Sequence, residues 1–243
     1  MLENTKVDSA ACVWPKELLP ARLPMARIIA FGYDVQPWSS PYPIEDILTR
    51  QSRELIEALL SVREENTKTP LVFVASDIGG LILKSALLRS HIAATEQQER
   101  IKSIKLSTTG LVLISTPDPE LSDGPTISEI ISGLPHDDKY NNMRTSSGED
   151  DSWLKLHLDT FRSISQSFSI KSFYDSSVSG SDSIRLSRLA KFKNADDLDY
   201  QVLVREIEKL YAEAPGKCTS QWNLYEREIG MCIFLVLLCA CRF

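Results

Sequence analysis

Short apolar runs alternate with longer stretches of mixed polarity along this chain of 243 residues. The apolar runs predict four strands: 28–33 (IIAFGY), 71–75 (LVFVA), 110–115 (GLVLIS) and the weaker 169–174 (SIKSFY). Between them, 44–63 and 80–94 carry apolar residues at helical spacing, which predicts helices. Fully apolar strands separated by helices indicate a mostly parallel sheet covered by helices on both faces, an α/β fold. We therefore expect the four strands to be adjacent and parallel.

Two polar stretches interrupt this order. Residues 134–152 are acidic and almost without large apolar groups, and residues 176–187 are rich in serine and glycine. Such composition is typical of surface loops rather than of a second domain. The sequence thus predicts one domain over residues 1–212, followed by a C-terminal extension over residues 213–243.

Charge and cysteine usage exclude several classes of function. With 27 basic and 33 acidic residues the net charge is −6, so no basic field is present to bind nucleic acid. The five cysteines fit neither a disulfide framework nor a metal-binding CxxC pattern, and no carboxylates stand at ligand spacing with histidine or cysteine. The N-terminus lacks a signal peptide pattern. We expect an intracellular, non-secreted protein with no metal and no cofactor.

The end of the chain is unusually apolar. Residues Met231 to Cys241 (MCIFLVLLCAC) are eleven consecutive apolar residues, whereas a membrane-spanning helix needs about 20. Three interpretations stay open: a helix or strand docked on the core, a contact with a membrane surface or a protein partner, or an artefact of how the end of the chain was defined.

A sharp turn follows the second predicted strand, in the stretch Ala75-Ser76-Asp77-Ile78-Gly79-Gly80. A strand that turns directly into a helix is the setting of a nucleophile elbow, in which the residues two before and two after the nucleophile must be small. Ala75 and Gly79 meet this requirement around Asp77, whereas centring the turn on Ser76 would place Val74 and Ile78 there. The register selects Asp77, which is either a catalytic carboxylate or a cap on the following helix.

Several motifs resemble one hydrolase family over roughly residues 13 to 212. They are Trp14-Pro15, Leu18-Leu19-Pro20, Leu23-Pro24, Ala26-Arg27-Ile28, FGYD at 31–34, VFVASDIGGLILKSAL and GLVLISTP. Together they are similar to the lipase-like α/β-hydrolase domains of the serine-active-site-containing protein family, including fungal receptor-associated forms. The resemblance implies a partial α/β-hydrolase fold that lacks its earliest strands. It also implies a link to lipid handling and association with mitochondrial or endoplasmic-reticulum membranes.

The family's catalytic residues are only partly matched. Where the family elbow reads His-Ser-Leu-Gly-Gly, this chain has Asp77 in place of the serine. Asp175 falls where the family carries its triad acid, although Asp is also a common turn residue. Leu186 stands near the expected position of the histidine, and a leucine cannot transfer a proton.

The remaining histidines do not replace the missing one. His91 lies near the end of the helix after the elbow, His136 in the acidic loop, and His157 on an amphipathic helix. None follows the last strands, where the triad order requires the histidine. The preferred interpretation is a degenerate lipase- or esterase-related domain that acts as a binding or signalling module, with a lipid or acyl group as candidate ligand. The alternative is a weak ester or lipid hydrolase that uses Asp77 as nucleophile.

Overall fold

A computed structural model of the chain describes residues 13–34, 42–93, 98–118, 148–175, 184–186 and 192–240. Within these ranges the side chains of 148–151, 175, 185–186 and 230–240 are not described.

The fold is built on a four-stranded parallel sheet. Its strands are β1 (Leu71–Ser76), β2 (Thr108–Ile114), β3 (Ser169–Asp175) and β4 (Ile184–Leu186), adjacent in chain order. Three of the four predicted strands are thereby confirmed as parallel neighbours. Val112 at the centre of β2 lies opposite Val74 of β1 and Lys171 of β3.

Helices cover both faces of the sheet. One face carries α3 (Ile44–Val62), α4 (Ile78–Ile92), α5 (Glu99–Ser107) and α6 (Gly148–Ser165), and the other carries α1 (Trp14–Glu17), α2 (Leu19–Arg22) and α7 (Leu198–Ala240). A hydrophobic core lies on each face of the sheet, and alternate residues of β2 contribute to one or the other. Leu111 and Leu113 pack with α3, α4 and α6, whereas Val112 and Ile114 pack with α1, α2 and α7. Because side chains alternate along a strand, an all-apolar strand requires this double cover, and the predicted α/β architecture is confirmed.

The predicted first strand is wrong. Residues 28–33 form no strand, and no backbone hydrogen bond joins them to β1. Contacts with the helical layer hold this segment instead: Arg27 donates a hydrogen bond from Nη1 to the carbonyl oxygen of Val62 at 3.1 Å, and Gln51 donates one to the carbonyl oxygen of Asp34 at 2.5 Å. An apolar run becomes a strand only when a neighbouring strand satisfies its backbone groups, and none does so here.

The loop predictions need two corrections. Residues 176–187 were expected to be loop throughout, but 184–186 form β4, paired in parallel with the end of β3. Residues 134–152 were likewise expected to be loop, but α6 begins at Gly148, and 119–147 lie outside the described residues. Polar composition concealed both elements because β4 has only three residues and the first turn of α6 is acidic, as suits a helix N-terminus.

The helix α7 continues across residue 212, the expected end of the hydrolase-like part, as far as Ala240. Its middle section is docked on the loop before β1 and on α5. Cys218 is buried and donates from Sγ to the carbonyl oxygen of Lys68 at 3.3 Å, and Trp222 donates from Nε1 to Ser107 Oγ at 3.1 Å. Within the described part of the chain, no helix has the length and apolar character needed to cross a membrane.

Candidate functional site

The turn between β1 and α4 has an unusual backbone at its centre. Asp77 has φ 51° and ψ −125°, a positive φ that non-glycine residues rarely adopt. Its amide donates to the carbonyl oxygen of Ile114 at 2.8 Å, and its own carbonyl oxygen accepts a bond from Gly80 at 3.1 Å. These bonds fix the turn between the sheet and the first turn of α4. The strained strand-to-helix turn that the sequence predicts at Asp77 is therefore present.

The side chain of Asp77 does not cap the helix. It makes no hydrogen bond to the free amides at the start of α4. Burial raises the pKa of the Asp77 carboxyl, and the neighbouring Ser76 side chain opposes that rise. The interpretation of Asp77 as a hydrogen-bonding N-cap is wrong, because its side chain accepts no hydrogen bond from the first turn of α4.

Two glycines allow close packing around the elbow. A Cβ atom on Gly79 would lie 3.4 Å from the ring of Tyr33, and one on Gly80 would overlap the side chain of Thr116. Burial and the nearby Asp77 raise the pKa of the Tyr33 phenol, whereas a hydrogen bond with the backbone of Gly79 lowers it. Tyr33 therefore lies beside the elbow, a position that the sequence pattern did not suggest because residues 28–33 were predicted to form a strand.

The segment after β2, Ser115 to Asp118, packs against the first turn of α4 through Thr116 and is called the post-β2 segment below. Ser115 also has a positive φ, 49°, and its amide donates to the carbonyl oxygen of Phe173 at 2.8 Å. The buried hydroxyl of Tyr174 donates to the carbonyl oxygen of Thr116 at 2.9 Å. These bonds attach the post-β2 segment to β3, so the conformation of the segment depends on contacts with residues distant in sequence.

A buried lysine of α4, Lys84, also binds the post-β2 segment. Lys84 is only 4% exposed and donates from Nζ to the carbonyl oxygen of Pro117 at 3.3 Å, with Nζ 5.7 Å from the centre of the Phe161 ring. Burial lowers the pKa of the Lys84 amine, Asp118 raises it, and Arg162 lowers it again. Sequence analysis overlooked Lys84, although a single charge inside the apolar run LILKSALL was a usable signal.

Asp175 and Leu186 lie at the carboxyl ends of their strands, at the same end of the sheet as Asp77. Asp175 is the last residue of β3 and is paired in register with Leu186 of β4. The strands β1 and β3 flank β2, so Asp77 and Asp175 are separated by two strand spacings, or about 10 Å. The backbone therefore places Asp77, Asp175 and Leu186, the three positions that the resemblance singled out, at the same end of one sheet.

Neither described histidine is bonded to Asp77. His91 lies in the last turn of α4, at the opposite end of that helix, and its pKa is lowered by burial and by Lys105 and Lys102. His157 stacks on Trp153, with ring centres 4.8 Å apart, and its buried Nε2 has no hydrogen-bond partner. Burial and the nearby Lys84 lower the pKa of His157. His136 lies outside the described residues.

No cluster of metal-ligating side chains is present among the residues that the structure describes. The remaining polar groups at the elbow are hydroxyls, one buried amine and carboxylates. This set can orient and hydrogen-bond a ligand, and neither of the two described histidines is bonded to Asp77 to act there as a base.

One curated protein supplies a relative for part of the chain. The chain is 31% identical over 121 residues to Protein SERAC1 of Danio rerio, a serine-active-site-containing protein. The matched part makes up 48% of this chain and 17% of that relative's length. No family model matches the chain, and no solved structure matches it. The likeness fits a lipase-like relation over about half of the chain.

Proposed function

We propose that this chain is a degenerate lipase-like α/β-hydrolase domain that binds a lipid or acyl group without hydrolysing it, and so acts as a binding or signalling module. One observation carries the proposal: the elbow keeps its strained geometry at Asp77, and no described histidine is bonded to that residue. A scaffold that retains this strain, with neither described histidine bonded to the residue at the turn, is suited to holding a ligand. It is poorly suited to turning one over.

The chemistry of the elbow supports this proposal. The Asp77 carboxylate can attack the acyl carbon of an ester, forming a mixed anhydride as the ester C–O bond breaks and the alkoxide leaves. An acid–base residue such as histidine normally protonates that alkoxide and then activates the water that hydrolyses the intermediate. Leu186, where the resemblance expects histidine, cannot do so. Burial also raises the pKa of the Asp77 carboxyl, which makes it a poorer nucleophile wherever it is protonated.

A weak ester or lipid hydrolase that uses Asp77 as nucleophile is the second candidate. The positive φ of Asp77 favours it, because that backbone holds the carboxylate at the strand-to-helix turn where hydrolases present a nucleophile. In this candidate Asp175 remains as the triad acid, and the base is a group not yet identified.

The test is turnover of short- and medium-chain p-nitrophenyl esters. Four proteins are compared: the wild type, Asp77→Ala, Asp77→Ser, and Asp77→Ser combined with Leu186→His. We expect the first three to match the background rate, since removing a triad member costs on the order of 10⁴-fold. A wild type that turns over and loses its activity in Asp77→Ala would establish the second candidate instead.

Ligand binding is tested separately from turnover. A fluorescent fatty acid and its glycerol monoester are titrated into the wild type and into Gly79→Phe, which adds a ring at the elbow where Gly79 already lies against Tyr33. We expect saturable binding to the wild type and weaker binding to the variant. Equal binding by both proteins, or none by either, would reject a lipid or acyl ligand at the elbow.

Association with mitochondrial or endoplasmic-reticulum membranes is part of the same proposal, through the apolar run from Met231 to Cys241. The helix α7 continues through most of that run, to Ala240. Flotation of the chain with neutral phosphatidylcholine vesicles, compared with Leu235→Glu, measures the contribution of the run. Flotation that the substitution leaves unchanged would show that another surface makes the contact.

A further inference from the structure

The side chain of Tyr33 covers part of the elbow. A Cβ atom on Gly79, two residues after Asp77, would lie 3.4 Å from Cε1 of the Tyr33 ring and 3.7 Å from the Tyr33 hydroxyl oxygen. The three atoms nearest to that position all belong to Tyr33. The absence of a side chain at Gly79 therefore lets a phenol ring from a distant segment lie against the first turn of α4.

The phenol of Tyr33 also lies near the carboxyl group of Asp77. Burial raises the pKa of this phenol, and the charge of Asp77 raises it further. Like charges have this effect only at short range, so the phenol and the carboxyl group are neighbours at the elbow. A ligand group that lies against Gly79 must take the place of this ring.

The segment that carries Tyr33, residues 24–34, is called the strap below. No residue of the strap is buried, and none belongs to a helix or a strand. Two hydrogen bonds join it to α3: one runs from Arg27 to the carbonyl oxygen of Val62, and the other from Gln51 to the carbonyl oxygen of Asp34. Segments with few buried contacts open at a small fraction of the free energy of global unfolding.

The two sides of the contact between Tyr33 and Gly79 differ in how firmly they are held. Gly79 belongs to α4, which is buried along most of its length and packs against β1, α3, α5 and α6. On the strap, Phe31 and Tyr33 are partly buried against the same core. When this contact opens, the strap is therefore the part that moves, and α4 stays in place.

We propose that Tyr33 is a displaceable cover of the elbow, and that a lipid or acyl group reaches Gly79 and Asp77 only after the strap has moved this ring away. The inference rests on the proposed function and adds its regulation. Binding then includes the cost of opening the strap, so the apparent affinity is reduced by the fraction of molecules that are open. A long acyl chain offsets this cost, because it covers the surface that the ring leaves and buries further apolar area of its own.

The first experiment measures access to Asp77 without any lipid. A water-soluble carbodiimide and glycine ethyl ester label the Asp77 carboxyl group in the wild type, Tyr33→Ala, Tyr33→Phe and Tyr211→Ala, and mass spectrometry follows the rate. We expect labelling at least about fivefold faster in Tyr33→Ala, and a rate near that of the wild type in Tyr33→Phe, which keeps the ring. Tyr211 is 37% exposed on α7, so Tyr211→Ala is a matched control that should label like the wild type.

The second experiment titrates a fluorescent fatty acid into the same four proteins. We expect Tyr33→Ala to bind it about tenfold more tightly than the wild type, and hydrogen exchange in residues 28–34 of the wild type to become faster when the fatty acid is bound. The exchange measurement needs no variant, so it stands even if Tyr33→Ala does not fold. Equal or weaker binding by a folded Tyr33→Ala, or unchanged exchange on binding, would overturn the proposal. Faster labelling of Asp77 with no fatty-acid binding by any of the proteins would instead reject the proposed function, and leave Tyr33 as a cover without this ligand.

Discussion

Gly80 at the start of α4 lies directly against the side chain of Thr116. A Cβ atom on Gly80 would come within 2.8 Å of the Thr116 Cβ and closer still to its other side-chain atoms, so only glycine fits. This contact brings the first turn of α4 against the segment after β2, and thereby sets the shape of the elbow. Small residues around the turn allow strand, helix and neighbouring segment to approach one another.

Replacing Gly80 with alanine should lower the free energy of unfolding by about 1 to 3 kcal/mol, because the added methyl group forces Thr116 or the helix to shift. Gly79→Ala is the matched control. Its Cβ would lie 3.4 Å from Tyr33, an ordinary contact, and alanine is the better helix former. Urea unfolding should therefore separate the two variants, and equal stability would mean that Thr116 yields at little cost.

Asp77→Gly should stabilise the fold. The positive φ of Asp77 is strained for a residue with a Cβ and open to glycine, and relief of such strain is worth on the order of 1 kcal/mol after the greater freedom of glycine in the unfolded chain is subtracted. Ser76→Gly, one residue earlier in β1, should instead lower stability. Thermal unfolding of both variants decides the point, and a destabilised Asp77→Gly would contradict it.

The stability difference between Asp77→Asn and the wild type should depend on pH. Burial raises the pKa of Asp77 in the folded protein above its unfolded value of about 3.9, so folding favours the protonated form. The contribution of this group is fully present below that unfolded value and is lost as pH rises through the folded pKa. Asparagine does not titrate, so the variant should gain relative to the wild type between pH 3.5 and pH 7. Urea midpoints at both values measure the gain, and a constant difference would contradict the burial of this carboxyl.

Trp222→Ala should destabilise the whole domain, because Trp222 joins α7 to the body of the fold. Its indole donates to Ser107 Oγ at 3.1 Å, and Lys68 Nζ lies 5.0 Å from its ring centre. We expect a loss of about 2 kcal/mol in the free energy of unfolding. Leu224→Ala, on the same helix but 59% exposed, should change it by less than about 0.5 kcal/mol. Similar losses from both variants would show that this part of α7 is not specifically docked.

Much of the sheet could be predicted because its signals are local. Continuous apolar runs marked β1, β2 and β3, and helical spacing marked α3 and α4 to within two residues. At Asp77 the small neighbours Ala75 and Gly79 identified a tight strand-to-helix turn, because that turn is a steric requirement on adjacent residues.

The same local rules failed where a distant partner decides the outcome. Residues 28–33 carry a strand-like run but lack a ladder neighbour, and Ile184–Leu186 pair with β3 despite a serine-rich context. Ser115 adopts a positive φ without being glycine, and its own amide donates to the carbonyl oxygen of Phe173 in β3. Pairing energy belongs to two segments at once, so one segment read alone cannot reveal it.

By itself the sequence determined the α/β class and the position of the elbow, and its resemblance to a hydrolase family singled out Asp77, Asp175 and Leu186 as candidate site positions. Only the tertiary structure decided that these positions lie at the carboxyl ends of strands of one sheet, that Asp77 is strained and makes no capping hydrogen bond to α4, and that Tyr33 and Thr116 pack against the glycines that follow it. The physical reason is that residue type and local periodicity are properties of neighbours along the chain. Strand order, burial and backbone strain arise only when distant segments pack against one another.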